Sequence, residues 1–235
     1  MTRRFAEAHH ITYPMLSDKG SVVIRKYGIL NTNVPPDVTK FYGIPFPGQY
    51  MLASDGTVRE KLFLPDFETR ASASEALLHS FGTGVGNNAV MVTAQDVQAK
   101  LTLSDVRGFG GHRLGVLVDF SVAPGWHVYG QPLPTGYSPT SIKFDDDLVA
   151  SQSLNFPKPT PVNFKLLGET LPVYQGSFKA LGDVLLKNKI AAGDHKLAGT
   201  LSFQECNDSI CKLPQTVRFE LPIKVDAYVP PLAAK

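Results

Sequence analysis

Cysteine is nearly absent from this chain: 235 residues hold two, Cys206 and Cys211, with none before them. So sparse a supply excludes a disulfide-stapled scaffold. Charge of one sign is lacking as well. The formal net charge is +2, with Lys+Arg 9 against Asp+Glu 8 in residues 1–80 and 14 against 13 in the remainder. Neither part has the basic excess that binds nucleic acid. No apolar run reaches transmembrane length. The first residues, MTRRFAEAHH, carry two arginines with no apolar stretch behind them, so they are not a signal peptide as they stand. The glycine-rich GTGVGNN, residues 82–88, is followed by no Lys-Ser/Thr, which removes a phosphate loop and leaves a linker. No ligand set for a metal or other cofactor stands out. The acids Asp145, Asp146 and Asp147 are adjacent, without the alternating spacing of a calcium loop, and read as a solvated turn.

What is present is an ordered, turn-rich chain. Hydrophobic residues at 43% and charged residues at 19% describe a globular protein, and 18 prolines with 20 glycines favour short strands over long helices. Residues 1–81 read as alternating helix and strand. Ser17-Asp18 caps a helix over Lys19–Tyr27, Asp55-Gly56 turns a β-hairpin within GQYMLASDGTVREKLFL, and a helix over Thr69–Phe81 follows. Residues 82–89 form the linker. From 90 to 228 the pattern becomes β, and 229–235 form a tail. Leu114, Val116, Val118, Phe120 and Val122 alternate with more polar neighbours, as do Val217, Phe219, Leu221, Ile223 and Val225. Other strands are expected at Lys100–Ser104, Thr140–Phe144, Ser177–Leu181, Val184–Ile190 and Lys196–Glu205. About seven short strands with turn-rich spacers predict a mainly β fold, an immunoglobulin-like sandwich. Pro222 makes the last strand an edge or bulged strand. FPKPTPVNF, residues 156–164, reads as a stiff connection, and Trp126, His127 and Tyr129 as a turn after a strand.

The cysteines lie in SFQECNDSIC, between two expected neighbouring strands. Asn207-Asp208-Ser209 is turn chemistry, and a tight turn there opposes Cys206 and Cys211 at a separation suited to a disulfide. Three readings stay open from spacing alone. A structural bridge closing so small a ring contributes only roughly 2 kcal/mol, a weak staple for a large core. A metal site needs about four ligands, and the closest histidine in sequence is His195. A reversible redox pair suits a small ring at a loop tip. Around it, Glu205 and Asp208 would raise a thiol pKa and Lys212 would lower it.

LSFQECNDSICKLPQTVRFELPIKV resembles the end of the N-terminal domain of the thiol:disulfide interchange protein DsbD and the related disulfide bond corrector domains. Phe203, Gln204, Cys206, Asp208, Cys211 and Pro214 fit that family's pattern. APGWHVYGQ, residues 123–131, and VYQGSF, residues 173–178, resemble two further segments of it, in the same order. The resemblance implies an immunoglobulin-like sandwich, a periplasmic setting, and thiol:disulfide oxidoreductase activity with thioredoxin-like partners, through Cys206 and Cys211. It implies that Cys211 forms the mixed disulfide, and it places His127 and Tyr129 near the pair. The family's shielding loop falls at Lys165–Pro172, KLLGETLP, which departs from its pattern.

Residues 1–80 resemble the second half of a thioredoxin-like domain of the peroxiredoxin (AhpC/TSA) type. HHITYPMLSDKGSVVIRKYGI and YGIPFPGQYMLASDGTVREKLF carry the likeness. It makes Pro47 a cis-proline candidate. The βαβ unit that bears the reactive cysteine in that family has no counterpart here, so this segment supplies no thiol nucleophile. A start truncated relative to a longer protein is the expectation that follows. Two other functions compete with the redox relay: a peroxiredoxin-type antioxidant protein completed upstream, and a non-catalytic binding module with a structural disulfide.

Overall fold

The structure is a computed structural model, and it describes residues 6–7, 10–38, 40–63, 72–82, 84, 89–164 and 168–227. The chain divides into two compact units, Met1–Ala71 and Ser72–Lys235.

The first unit holds helix α1 (Val22–Lys26) and a hairpin of β1 (Gly48–Leu52) and β2 (Val58–Phe63). Asp55-Gly56 makes the hairpin turn as expected, with the Asp55 carboxylate accepting from the Thr57 amide. The helix starts later than expected. Asp18 does cap it, accepting from the amides of Val23 and Ile24, but Ser21 stands before it in a left-handed conformation. The peptide bond before Pro47 is trans, against the cis bond that the resemblance implied; the cis bond among the described residues is Gln131–Pro132. Trans is the default for X-Pro, and here the Phe46 amide donates to Ile29 O as the chain runs extended into β1. No apolar side chain described in this unit is fully buried.

The second unit is mainly β. One sheet has the order β3 (Ala89–Ala94), β4 (Val97–Leu103), β6 (Arg113–Val122), β12 (Ser177–Leu186), β9 (Val149–Asn155). Its partner sheet runs β5 (Arg107–Gly108), β15 (Gln215–Val225), β13 (Gly193–Phe203), β8 (Ser141–Phe144). Alternate residues of both sheets enter one core, including Leu101, Val118, Phe120, Phe144, Leu197, Phe203 and Leu221. The expected two-sheet sandwich is thereby formed. Pro222 is tolerated because β15 is unpaired on one side except where β5 meets Lys224 and Val225.

Several expectations change. The helix expected over Thr69–Phe81 is α2 (Ala73–Phe81), residues 69–71 lying outside the described set. It belongs to the second unit, against its expected place at the end of the 1–81 segment. Ser72 caps it, Leu78 is fully buried, and Gly115 of β6 lets it approach so closely that an added Cβ would stand 3.1 Å from Glu75 Cγ. The two strands expected over residues 177–190 are one, β12. His127–Tyr129 is a strand, β7, rather than a turn, and Thr160–Phe164 of the proline-rich stretch is a strand, β10. Both belong to a third, small sheet of order β10, β11 (Glu169–Tyr174), β7, β14 (Glu205–Cys206). Most of the linker and the whole 229–235 tail lie outside the described residues.

Candidate functional site

The partner strands β13 and β15 pair to their ends, Phe203 opposite Gln215. Between these ends the chain leaves the sheet. Glu205 and Cys206 cross to the small sheet and pair with Val128 and His127 of β7. A turn then folds the chain back. The Asn207 carboxamide oxygen accepts from the amides of Ser209 and Ile210, and Asn207 N donates to Ile210 O. This is the turn chemistry expected from Asn-Asp-Ser. It sets Cys206 opposite Cys211 at a Cα separation of 4.1 Å, and the two are joined as a disulfide.

The two sulfurs have unlike surroundings. Cys206 is 1% exposed and sits in a cluster with Tyr129, Leu171 and Val173. Cys211 is exposed. Ile210 and Leu213, 56% and 84% exposed, flank it with apolar surface. The Tyr129 hydroxyl donates to Cys206 Sγ at 3.1 Å and lies 3.6 Å from Cys211 Sγ. Burial, helped by Tyr137 and Glu169, pushes the Tyr129 phenol up to about 12, so it stays a donor at neutral pH. Tyr137 packs edge-on against it at 5.1 Å and donates to Glu169.

His127 shares this face of β7 with Tyr129 and is buried against Phe164. Its Nε2 has no partner among the described residues. Burial holds its pKa below the ordinary value, with Asp208 opposing, and the ring is neutral near pH 7. The sequence thus brings Cys206, Cys211, Tyr129 and His127 to one place. Asp208 sits exposed on the turn and acts on His127. Pro47 lies in the other unit. Of the expected loop Lys165–Pro172, residues 165–167 lie outside the described set and Glu169–Pro172 lie in β11.

Glu205 behaves differently from a free acid beside a thiol. It is fully buried, and its Oε1 accepts from Lys212 Nζ at 2.8 Å. Lys212 also donates to Asp96 Oδ2 at 2.6 Å and lies 4.0 Å from the centre of the Trp126 ring. Burial pulls the Lys212 pKa down, but its hydrogen bonds to Asp96 and Glu205 outweigh that and raise it. Glu205 and Lys212 are thus paired with each other. Asp96 and the ring contact of Trp126 left no local trace in the sequence, because Asp96 lies 116 residues from Lys212. Among the described residues no group of three or more His, Cys, Asp or Glu is placed to hold a metal ion. The chemistry on offer is that of a buried sulfur and an exposed sulfur in one bond, with a hydroxyl donor aimed at the buried one.

A β-sandwich domain with a disulfide in a short hairpin beside its sheet edge is the class that fold and site define. The family model described as thiol:disulfide interchange protein DsbD, N-terminal, matches residues 98–223, more than half of the chain, and the chain belongs to this family. Residues 1–61 match the AhpC/TSA family. Similar solved structures include the N-terminal periplasmic domain of ScsB from Proteus mirabilis, 18% identical, with a TM-score of 0.42 over 59% of this chain and 52% of that one. Another is the N-terminal domain of Neisseria meningitidis DsbD in the reduced form, 21% identical, with a TM-score of 0.31 over 47% of this chain and 78% of that one. The chain thus spans about half the length of the ScsB domain. No curated protein sequence matches it.

Proposed function

We propose that this chain exchanges dithiol for disulfide with thioredoxin-like proteins through Cys206 and Cys211, in an extracytoplasmic, periplasmic setting. Family membership supports the reaction class. The observation that carries the roles is the contrast between an exposed Cys211 and a buried Cys206 in one disulfide. A partner thiolate attacks along the S–S axis and needs access to the sulfur it bonds. Cys211 offers that access. The S–S bond breaks, Cys211 becomes bonded to the partner, and Cys206 leaves as a thiolate that then takes up a proton. Tyr129 donates to that leaving sulfur, and a hydrogen bond to a charged acceptor is stronger than one to a neutral acceptor. The partner's second thiolate then attacks the partner's own sulfur in the mixed disulfide and releases Cys211 as a thiolate. Two electrons and two protons have passed to this chain, and the partner holds the disulfide. The reverse order of the same steps oxidises this chain. An oxidising compartment keeps such a pair in its disulfide form between encounters.

The test is mixing of the oxidised chain with a reduced two-cysteine thioredoxin-like protein, with free thiols alkylated at timed intervals. Reduction by the protein dithiol at least about tenfold faster than by glutathione at equal thiol concentration is the expected result. A disulfide that the protein dithiol leaves intact, while a small dithiol reduces it, would show a structural bridge instead.

A further inference from the structure

We propose that the Glu205–Lys212 ion pair is a positioning clamp that sets the redox equilibrium of Cys206 and Cys211, favouring the disulfide and making the dithiol a stronger reductant. The inference rests on the exchange reading above and adds what tunes it.

The clamp and the disulfide span the same hairpin. Glu205 immediately precedes Cys206, and Lys212 immediately follows Cys211. Their side chains meet at 2.8 Å, one step outside the sulfurs. Two further bonds close the same stem: Lys212 N donates to Glu205 O at 3.0 Å, and Gln204 Nε2 donates to Lys212 O at 3.1 Å. None of these contacts needs the S–S bond.

The clamp is also anchored outside the hairpin. Asp96, in the turn between β3 and β4, takes a second Lys212 hydrogen bond. The ring of Trp126, packed against the main core, lies beneath the ammonium. Asp96 and Trp126 are linked through Ala123, whose amide donates to Asp96 O and whose carbonyl accepts from Trp126 N. The segment after Cys211 is thereby fastened to the turn of the large sheet that holds Asp96, while Cys206 is fastened to β7. With the disulfide reduced, these fixed points still hold the two sulfur-bearing residues opposite each other. A thiol already held near its partner has a high effective concentration, and little further ordering accompanies bond formation. For a dithiol, that effective concentration is the equilibrium constant for closing the disulfide against glutathione: one glutathione disulfide is reduced to two thiols as the protein dithiol loses two electrons and two protons.

The ion pair must be tested as a pair. Removing Lys212 alone would leave the Glu205 carboxylate buried and uncompensated, a strongly destabilising change in its own right. The double variant E205Q/K212M removes both charges together. The experiment equilibrates the oxidised chain with glutathione buffers of graded ratio and reads the fraction of alkylated thiol. The expected result is an equilibrium constant for the disulfide at least about tenfold lower than in the unmodified chain, a potential about 30 mV less negative. D96N, which keeps the pair and takes the charge from its outer anchor, should shift it in the same direction by about threefold. The exposed Lys196–Glu220 pair is the control, and its replacement should leave the constant unchanged. An unchanged constant in E205Q/K212M and D96N overturns the proposal, as does an equal shift in the control. Should the double variant fail to fold, D96N decides alone. Glutathione equilibrium needs no protein partner, so failure of the proposed exchange would appear separately, as a disulfide with a measurable potential that thioredoxin-like proteins leave untouched.

Discussion

Replacing each cysteine in turn by serine isolates the asymmetry on which the mechanism depends. In the C206S variant the remaining thiol is the exposed Cys211; in C211S it is Cys206, 1% exposed. A protein partner can reach Cys206 only if the hairpin stem opens. Opening breaks three hydrogen bonds, from the Lys212 N–H to Glu205 O, from Gln204 Nε2 to Lys212 O, and from Lys212 Nζ to Glu205 Oε1. At about 1 kcal/mol net for each, opening costs about 3 kcal/mol. Each 1.4 kcal/mol is a factor of ten, so C211S should react about a hundredfold more slowly than C206S. The assay uses a thioredoxin-like protein lacking its second cysteine, with its nucleophilic cysteine carried as a chromogenic aryl mixed disulfide. The lone thiolate of the variant displaces the aryl thiolate, whose absorbance gives the rate, and the covalent complex is seen on a non-reducing gel. Rates within about threefold of each other, or a faster C211S, would refute the assignment of Cys211 as the attacked sulfur.

The apolar side chains beside Cys211 give a second expectation. I210S/L213S should slow reduction by a protein dithiol about tenfold, as buried contact area is lost, and leave reduction by a small dithiol unchanged; equal slowing of both would point to a change in the disulfide itself. A third concerns acid. The pKa of His127 is held down in the folded chain by burial, so the unfolded chain binds its proton more tightly. Its contribution to stability is complete above the unfolded value of about 6.5 and falls away as pH drops towards the folded pKa. Urea midpoints between about pH 7.5 and 5 should therefore fall more steeply for the unmodified chain than for H127Q, whose side chain does not titrate there. Parallel profiles would show that His127 is not buried as a neutral ring.

The strand pattern was legible because period-two alternation is imposed by one buried face. Val116, Val118 and Phe120, or Phe219, Leu221 and Ile223, declare a core-facing side from their own neighbours. The Asp55-Gly56 hairpin and the opposition of Cys206 and Cys211 were legible for the same reason, since a few consecutive residues decide a turn. Short strands without alternation, such as Thr160–Phe164 and His127–Tyr129, were missed, because their partners and not their own pattern make them strands.

By itself, then, the order of residues determined a mainly β chain, a thiol pair joined by a tight turn, and an N-terminal segment with no thiol of its own. Tertiary structure alone decided which sulfur faces solvent, because the burial of Cys206 depends on a sheet whose strands come from distant parts of the chain. It decided that Tyr129 reaches Cys206 across 77 residues and that Asp96 holds Lys212 across 116. It also settled the trans bond before Pro47 and the packing of Ala73–Phe81 on the second unit. Turns and alternation are local free-energy choices, readable a few residues at a time. Burial and ion pairing between remote segments exist only once the strands have docked, and at this hairpin they separate an exposed sulfur from a sheltered one.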